Sequence, residues 1–354
     1  LRLVDDVIAS TGHIYDSGCK AFVTYKQDNR RVDIEIATQG VSMKLRAGDP
    51  FPDFVLPAVG GANRLFYEQY CGKPALLIIS ASPQRFEALE RMENANLTIL
   101  VFGKSRLGPS GGPVINLPER LCEKLDANAS TATKAVLLTS RLRIEKIFDT
   151  PSPELLEEVA MQVAPLREVG RIVTGAAPVL FADSIIEPDL SLALIEMHQS
   201  DNFESRMNRG IGSEQKLKVD PRVKSRWDHP LIDQGLIQQL TAEIARGLIP
   251  AITRSFHFKP TRFEGYKVVA YKSTDNGCFG LHRDNVAEEV RHRRLALSIN
   301  LNTDFEGGEL YFPEYSTDLY RPGAGSALVF SGSLLHGVKP VTSGVRYALI
   351  TFLW

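Results

Sequence analysis

The stretch GLHRDN, residues 280–285, stands between YKVVAYK at 266–272 and RRLALSINLN at 293–302, both of strand character. His282 and Asp284 are two positions apart, so on an extended chain their side chains leave the same face. A half-buried strand that turns an imidazole and a carboxylate inward together must compensate the burial of both. A bound cation between them does so.

Further along, SLLHGVKPV at 333–341 supplies His336. Two imidazoles and one carboxylate form a facial ligand set that leaves positions open on a six-coordinate ion, the geometry associated with oxygen-activating non-haem Fe(II). Arg346 follows in SGVRYALITF at 343–352, on the adjoining core-facing strand. A guanidinium pointing inward needs a carboxylate partner. The sequence offers no obvious one, and an organic acid held on the metal would provide it.

On HRDN, LNTDFEGGELYF, GSALVFSGSLLHGVKPVTSGVRY and VVAYKSTDNG, residues 178–354 resemble the Fe(II)/2-oxoglutarate-dependent oxygenases, and within them the prolyl 4-hydroxylase-like branch. The resemblance implies an α+β double-stranded β-helix (jelly-roll) domain. It implies Fe(II) held by His282, Asp284 and His336, with 2-oxoglutarate as cosubstrate and its distal carboxylate paired to Arg346. Tyr271 matches a tyrosine that hydrogen-bonds the cosubstrate in relatives, and Asn300 and Thr351 are further cofactor-binding candidates on neighbouring strands. O2 is then consumed, an aliphatic C–H of a prolyl-like residue, peptide, protein or small molecule is hydroxylated, and succinate and CO2 are released. Ascorbate is the reductant such an enzyme would use. Related halogenases replace the carboxylate ligand with a small residue, so Asp284 favours hydroxylation.

The family also suggests a loop closing over substrate, here 203–229, with Arg222, Arg226 and Trp227 near it. Arg283, Asn285 and Arg294 flank the metal ligands and are candidate substrate contacts. On the RRLALSINLN strand, Ala296, Ser298 and Asn300 are expected to face the cavity, and Leu295, Leu297 and Ile299 the opposite side. His292 is expected to be solvated, His257 and His229 to be hydrogen-bonded structural residues, and His13 and His198 to lie at the surface. Gly307 and Gly308 mark a turn between strands.

Upstream, PALLIISAS (74–82), PQRFEALERMENA, LTILVFGKS, PERLCEKLDA, KAVLLTSRLRIEKIFDT and SPELLEEVAMQVA alternate strand and helix character, an α/β layer fold. With GDPFPDF and GKPALLII in front, residues 45–165 resemble a peroxiredoxin/thioredoxin-like domain. Peroxiredoxins carry their peroxidatic cysteine at the start of the following helix, where this chain has SASPQRFEAL without one. Such a domain would dock a partner or peptide, or form a homodimer. Residues 1–44 read as an N-terminal extension with a β-hairpin turning at Asp28-Asn29, and 166–177 as a linker.

Hydrophobic residues make up 44% of the 354-residue chain and charged ones 23%, with a net charge of -1. That balance gives no reason to expect a nucleic-acid partner, and the basic KLKVDPRVKSRW is a solvated loop on that ground. No apolar run is long enough for a membrane span. The four cysteines form no CxxC pair, which suits a cytoplasmic, reducing setting. Two other functions fit parts of the sequence: a thiol-dependent peroxidase-type redox protein, and a non-catalytic module that senses a metal or 2-oxoacid.

Overall fold

The computed structural model describes residues 11–13, 21–28, 31–38, 44–56, 64–90, 92, 97–103, 117–127, 133–163, 172–205, 207–209, 216–218 and 223–354. The chain divides into two compact units, Leu1–Gly40 with Ile172–Trp354, and Val41–Arg171. Arg222, the Gly/Pro-rich 107–113 loop, the hairpin turn at Asn29 and the first half of the expected 166–177 linker lie outside the described residues.

The first unit is organised by the strand Val341–Leu353, rich in the β-branched and aromatic residues that suit a pleated surface. It pairs antiparallel with Lys267–Lys272 on one edge, Tyr271 opposite Arg346, and with Leu295–Asn300 on the other, Leu297 opposite Thr351. Alternation sends Val268, Leu295, Leu297, Ile299 and Leu349 to one face, packed with Leu194, Leu240 and Ile244 from helices. Val269, Tyr271, Ala296 and Ala348 leave the other face and meet Leu310, Phe312 and Val338. The second of these groups comes from a smaller antiparallel sheet in the order Lys224–Ser225, Cys278–His282, His336–Val338, Leu310–Tyr311, Leu319–Tyr320. Two sheets facing across an apolar layer make a sandwich, in keeping with a jelly roll.

Helices cover the outer face of the large sheet. Gln234–Gly247 starts where Asp233 accepts the Leu236 N–H at 2.7 Å, and it buries Ile237, Leu240, Thr241 and Ile244, one helical stripe. Pro250 opens the next helix, Ile249–Phe256, and His257 ends it in the left-handed region at φ 50°. His257 is therefore an exposed helix cap rather than a hydrogen-bonded structural residue. The helix Pro188–Ser200 buries Leu190, Leu194 and His198. His198, expected at the surface, instead packs inward, because it shares the four-residue spacing of the two leucines.

The amino-terminal hairpin also departs from expectation. Ala21–Asp28 and Arg31–Thr38 pair as anticipated, but the second strand goes on to pair with Arg262–Glu264, Ile34 opposite Phe263. The hairpin is thus not a separate extension: it prolongs the large sheet of the unit that holds Ile172–Trp354.

The second unit is a four-stranded sheet in the order Thr98–Phe102, Ala75–Ile79, Lys134–Leu138, Ile144–Asp149, the first pair parallel and the others antiparallel. Every residue of Ala75–Ile79 is buried. Ala75, Leu77 and Ile79 face one apolar cluster, Leu76 and Ile78 the other, as a strand covered on both sides requires. Ser152 caps the helix Pro153–Gln162 through the Leu155 N–H. Among the described residues no helix is long and apolar enough to cross a membrane.

Candidate metal centre and its cavity

The small sheet brings the two histidines together. Its strands Cys278–His282 and His336–Val338 run antiparallel with His282 directly opposite His336. Each ring turns Nδ1 onto a backbone carbonyl two residues earlier, Gly280 O at 2.8 Å and Leu334 O at 2.9 Å. A ring that donates from Nδ1 presents a lone pair at Nε2, the state a metal ligand needs. Asp284 sits just past the strand end, where its N–H bonds Gly332 O at 2.8 Å. Its two carboxylate oxygens lie 3.4 Å from His282 Nε2 and 3.5 Å from His336 Nε2.

Those separations are long for hydrogen bonds. They suit atoms arranged around one ion, because ligands about 2.1 Å from a centre and at right angles lie about 3 Å apart. The three ligand atoms fall within 4.8 Å of one another, the one such cluster among the described residues. Burial pushes the Asp284 carboxyl up, but the two imidazoles and Arg293 outweigh it and hold it below the usual carboxylate range. Burial pushes the His336 imidazole down, against the pull of Asp284. An ionised carboxylate beside a neutral imidazole is a donor set that fits a divalent transition metal. Aromatic rings wall the pair: Phe279 stacks on His282 at 3.7 Å between centroids, and Phe330 meets His336 edge-on at 4.6 Å.

Arg346 comes from the other sheet. It is 2% exposed, donating from Nε to Asn300 Oδ1 at 3.0 Å and from a terminal nitrogen to Ser298 Oγ at 3.2 Å. Its guanidinium lies 5.5 Å from the centre of the Tyr271 ring. No carboxylate pairs with it among the described residues, and burial lowers its pKa. Gly308, at φ 71°, makes room beside it: a Cβ there would stand 3.1 Å from Arg346 Cδ and 2.9 Å from Val341 Cγ2.

One cavity of about 570 Å³ joins these groups, lined by His282, Asp284, His336, Arg346, Tyr271, Thr351, Ala296 and Ser298 among others. Thr351 gives its hydroxyl to Glu264 O at 2.8 Å. Asn300 does not line the cavity; it holds Arg346, with its own amide fixed by Pro322 O at 2.8 Å.

The substrate candidates separate. Arg226 lines the cavity and is locked onto Asp228 by two bonds of 2.6 and 2.8 Å. Arg283 is at the rim, bonded to Glu314 at 2.6 Å and to Ser333 O. Trp227 turns away, because alternation along Trp227–Pro230 sends its ring to Asp275 at 2.8 Å and under Lys272 at 4.3 Å. Asn285 ties Ser333 Oγ at 2.7 Å and stays off the cavity wall. Arg294 faces Phe258 at 5.4 Å, outside the cavity. In the expected 203–229 lid, Met207–Arg209 pairs with Lys216–Lys218, whereas Lys224–Ser225 and Trp227–Pro230 are strands of the two sheets rather than lid.

Several residues escaped the sequence reading. Arg293, one position from Arg294, lines the cavity and forms a two-bond pair with Glu264 at 2.7 and 2.8 Å. His292, expected to be solvated, joins the same carboxylate at 2.6 Å and meets Trp354 edge-on. Lys224 and Phe279 also line the cavity. His229 is the buried, hydrogen-bonded residue it was expected to be, with Nδ1 2.6 Å from Asp201 O.

In sequence the chain is similar to hydroxylases of the PKHD type. The match to PKHD-type hydroxylase PiuC of Pseudomonas aeruginosa is 28% identical over 152 residues, covering 40% of this chain and 62% of that protein. A PKHD-type hydroxylase of Parvibaculum lavamentivorans is 27% identical over 168 residues, covering 47% of this chain and 72% of that protein. The chain spans less than two thirds of the length of the first of these relatives. Among solved structures, a Trichoplax adhaerens prolyl hydroxylase in complex with a hypoxia inducible factor peptide fragment is 18% identical, with a TM-score of 0.40, over 51% of this chain and 84% of that one. No family model matches.

Proposed function

We propose that the chain is an Fe(II)- and 2-oxoglutarate-dependent hydroxylase acting on an aliphatic C–H. The observation that carries this reading is the shared cavity: two histidines and an ionised carboxylate gathered at the small sheet, and on the large sheet a guanidinium with no carboxylate partner among the described residues. His282, Asp284 and His336 would hold the metal. Arg346, kept planar and in place by Asn300 and Ser298, would take the distal carboxylate of the 2-oxoacid with two parallel bonds. Tyr271, the register partner of Arg346, flanks that position, whereas Thr351 lines the cavity five residues further along the strand. Phe279 and Phe330 exclude water from the ligand rings. When bound, iron and 2-oxoglutarate supply the oxidising power for C–H hydroxylation, and the protein orients substrate and limits side reactions.

The test is an anaerobic titration of the metal-free protein with Fe(II) and 2-oxoglutarate, watching for the visible metal-to-ligand charge-transfer band. A band that weakens in Asp284→Ala and Arg346→Ala supports the reading. A folded protein without a band sinks it. Succinate release with a candidate substrate then separates an enzyme from a sensing module.

For the unit Val41–Arg171, the sheet order and the closing helix support the thioredoxin-like reading. Its four strands follow the order second, first, third, fourth, with the parallel pair inside the first half. A docking role for it rests on that topology.

A further inference from the structure

The cavity contains more positive charge than one 2-oxoacid can use. Arg226 is committed to Asp228 and Arg293 to Glu264, each through two bonds. Asp284 belongs to the triad. Arg283 is paired with Glu314, and Lys267 lines the cavity from an exposed position, so the buried cations without a carboxylate partner among the described residues are Arg346 on the large sheet and Lys224 on the small one.

Lys224 is 7% exposed, lines the cavity, and among the described residues has no ion-pair partner. Its Nζ sits 4.9 Å above the Phe279 ring, the ring whose other neighbour is His282 at 3.7 Å. The ammonium therefore stands one aromatic ring away from the metal ligands, on the sheet opposite Arg346. Burial, with Arg226 beside it, pushes Lys224 down to about 7, against the pull of Asp228 and Asp284. A buried ammonium with no counter-ion is costly, and an arriving anion relieves that cost. The same cavity also has apolar lining from Leu310, Val338, Ile350 and Phe330.

We propose that Lys224 is the recognition point for a carboxylate on the hydroxylated substrate. The substrate class is then an aliphatic acid, either a free one or an acidic side chain of a peptide, whose chain lies along the apolar wall toward the metal. This rests on the oxygenase reading for Arg346, which gives the 2-oxoacid its own cation and leaves Lys224 for the second acid.

The experiment uses the full chain loaded with Zn(II), which does not turn over, and saturated with 2-oxoglutarate so that Arg346 is occupied. Hexanoate and hexanamide are compared by calorimetry, alongside N-acetyl-Ala-Glu-Ala-amide and its Gln counterpart. We expect one of the two acids to bind ten- to a hundredfold tighter than its amide, the span of a charge-assisted contact. Lys224→Met should abolish that preference, and Lys224→Arg should keep it. Which acid wins identifies the source of the carboxylate. Equal binding of acids and amides overturns the proposal, as does a folded Lys224→Met protein that retains the preference. Titration of 2-oxoglutarate itself into wild type and Arg346→Met, in the same buffer, reports separately on the oxygenase reading.

Discussion

His282 and His336 are register partners across the antiparallel strands that carry them, and each fixes its own tautomer through the backbone carbonyl two residues before it. Both Nε2 atoms are thereby aimed at the carboxylate of Asp284 without help from other side chains. Asp284→Ala should lower divalent-metal affinity by more than about a hundredfold, since even outer-shell changes cost ten- to a hundredfold. Metal content after dialysis against a known free Fe(II) or Co(II) concentration measures it.

Arg346 faces Tyr271 across the large sheet and is gripped by Asn300 and Ser298. Arg346→Lys keeps the charge but loses the planar fork, so the 2-oxoglutarate Kd should rise about ten- to a hundredfold. Asn300→Ala leaves the guanidinium present but loosely aimed. It should raise KM for 2-oxoglutarate about tenfold with a smaller effect on kcat, whereas a purely structural residue would alter Tm instead.

The Arg226–Asp228 pair is buried and doubly bonded. Burial alone would raise the Asp228 pKa, but Arg226 lowers it below the usual value. A carboxylate with a depressed folded pKa stabilises the fold fully above its unfolded value, about 3.9, and loses that contribution as pH falls through the folded one. Asp228→Asn should cost about 3–5 kcal/mol at pH 7. The gap between the two proteins should narrow below about pH 4, as urea melts across pH will show.

Gly308 has φ 71° and its Cβ position is crowded by Val341 and Arg346. Gly308→Ala should destabilise the protein by about 1–3 kcal/mol, part backbone strain and part overpacking. It should also weaken 2-oxoglutarate binding, because the added methyl leans on Arg346. If melting shifts but cosubstrate affinity stays at the wild-type value, the contact with Arg346 has no functional weight.

How legible this was depended on the range of the interaction. His282, His336 and Arg346 stand in strands whose alternation is visible locally, and the same alternation separates Ala296 and Ser298, which line the cavity, from Leu295 and Ile299, which do not, although Leu297 also reaches the cavity and Asn300 does not. Spacing within the helix Pro188–Ser200 would have placed His198 with Leu190 and Leu194, had it been weighed against the residue's polarity. Long-range pairing left no such trace. Nothing near Ile34 announces Phe263 as its partner, and nothing near Glu264 announces Arg293. Arg293 and Arg294 differ by one position, which in a strand-flanking turn reverses the face, so that Arg293 lines the cavity and Arg294 meets Phe258. The expected 203–229 loop takes in Lys224–Ser225 and Trp227–Pro230 because these are short, polar strands with little hydrophobic signal.

The proposed metal-ligating histidines and Arg346 ride on different sheets. The gap between them is therefore a property of the sandwich filling, set by apolar side chains such as Ala296 and Phe312, the latter with its ring centre 6.0 Å from that of His336. Sheets pack about 10 Å apart, and a lost or added methylene in the filling changes that gap locally. The apolar core acts here as a caliper. Its jaws are opened or closed by residues that an inspection of polar contacts would pass over, so a variant such as Phe312→Leu can mimic a cosubstrate-binding defect with every ligand still in place.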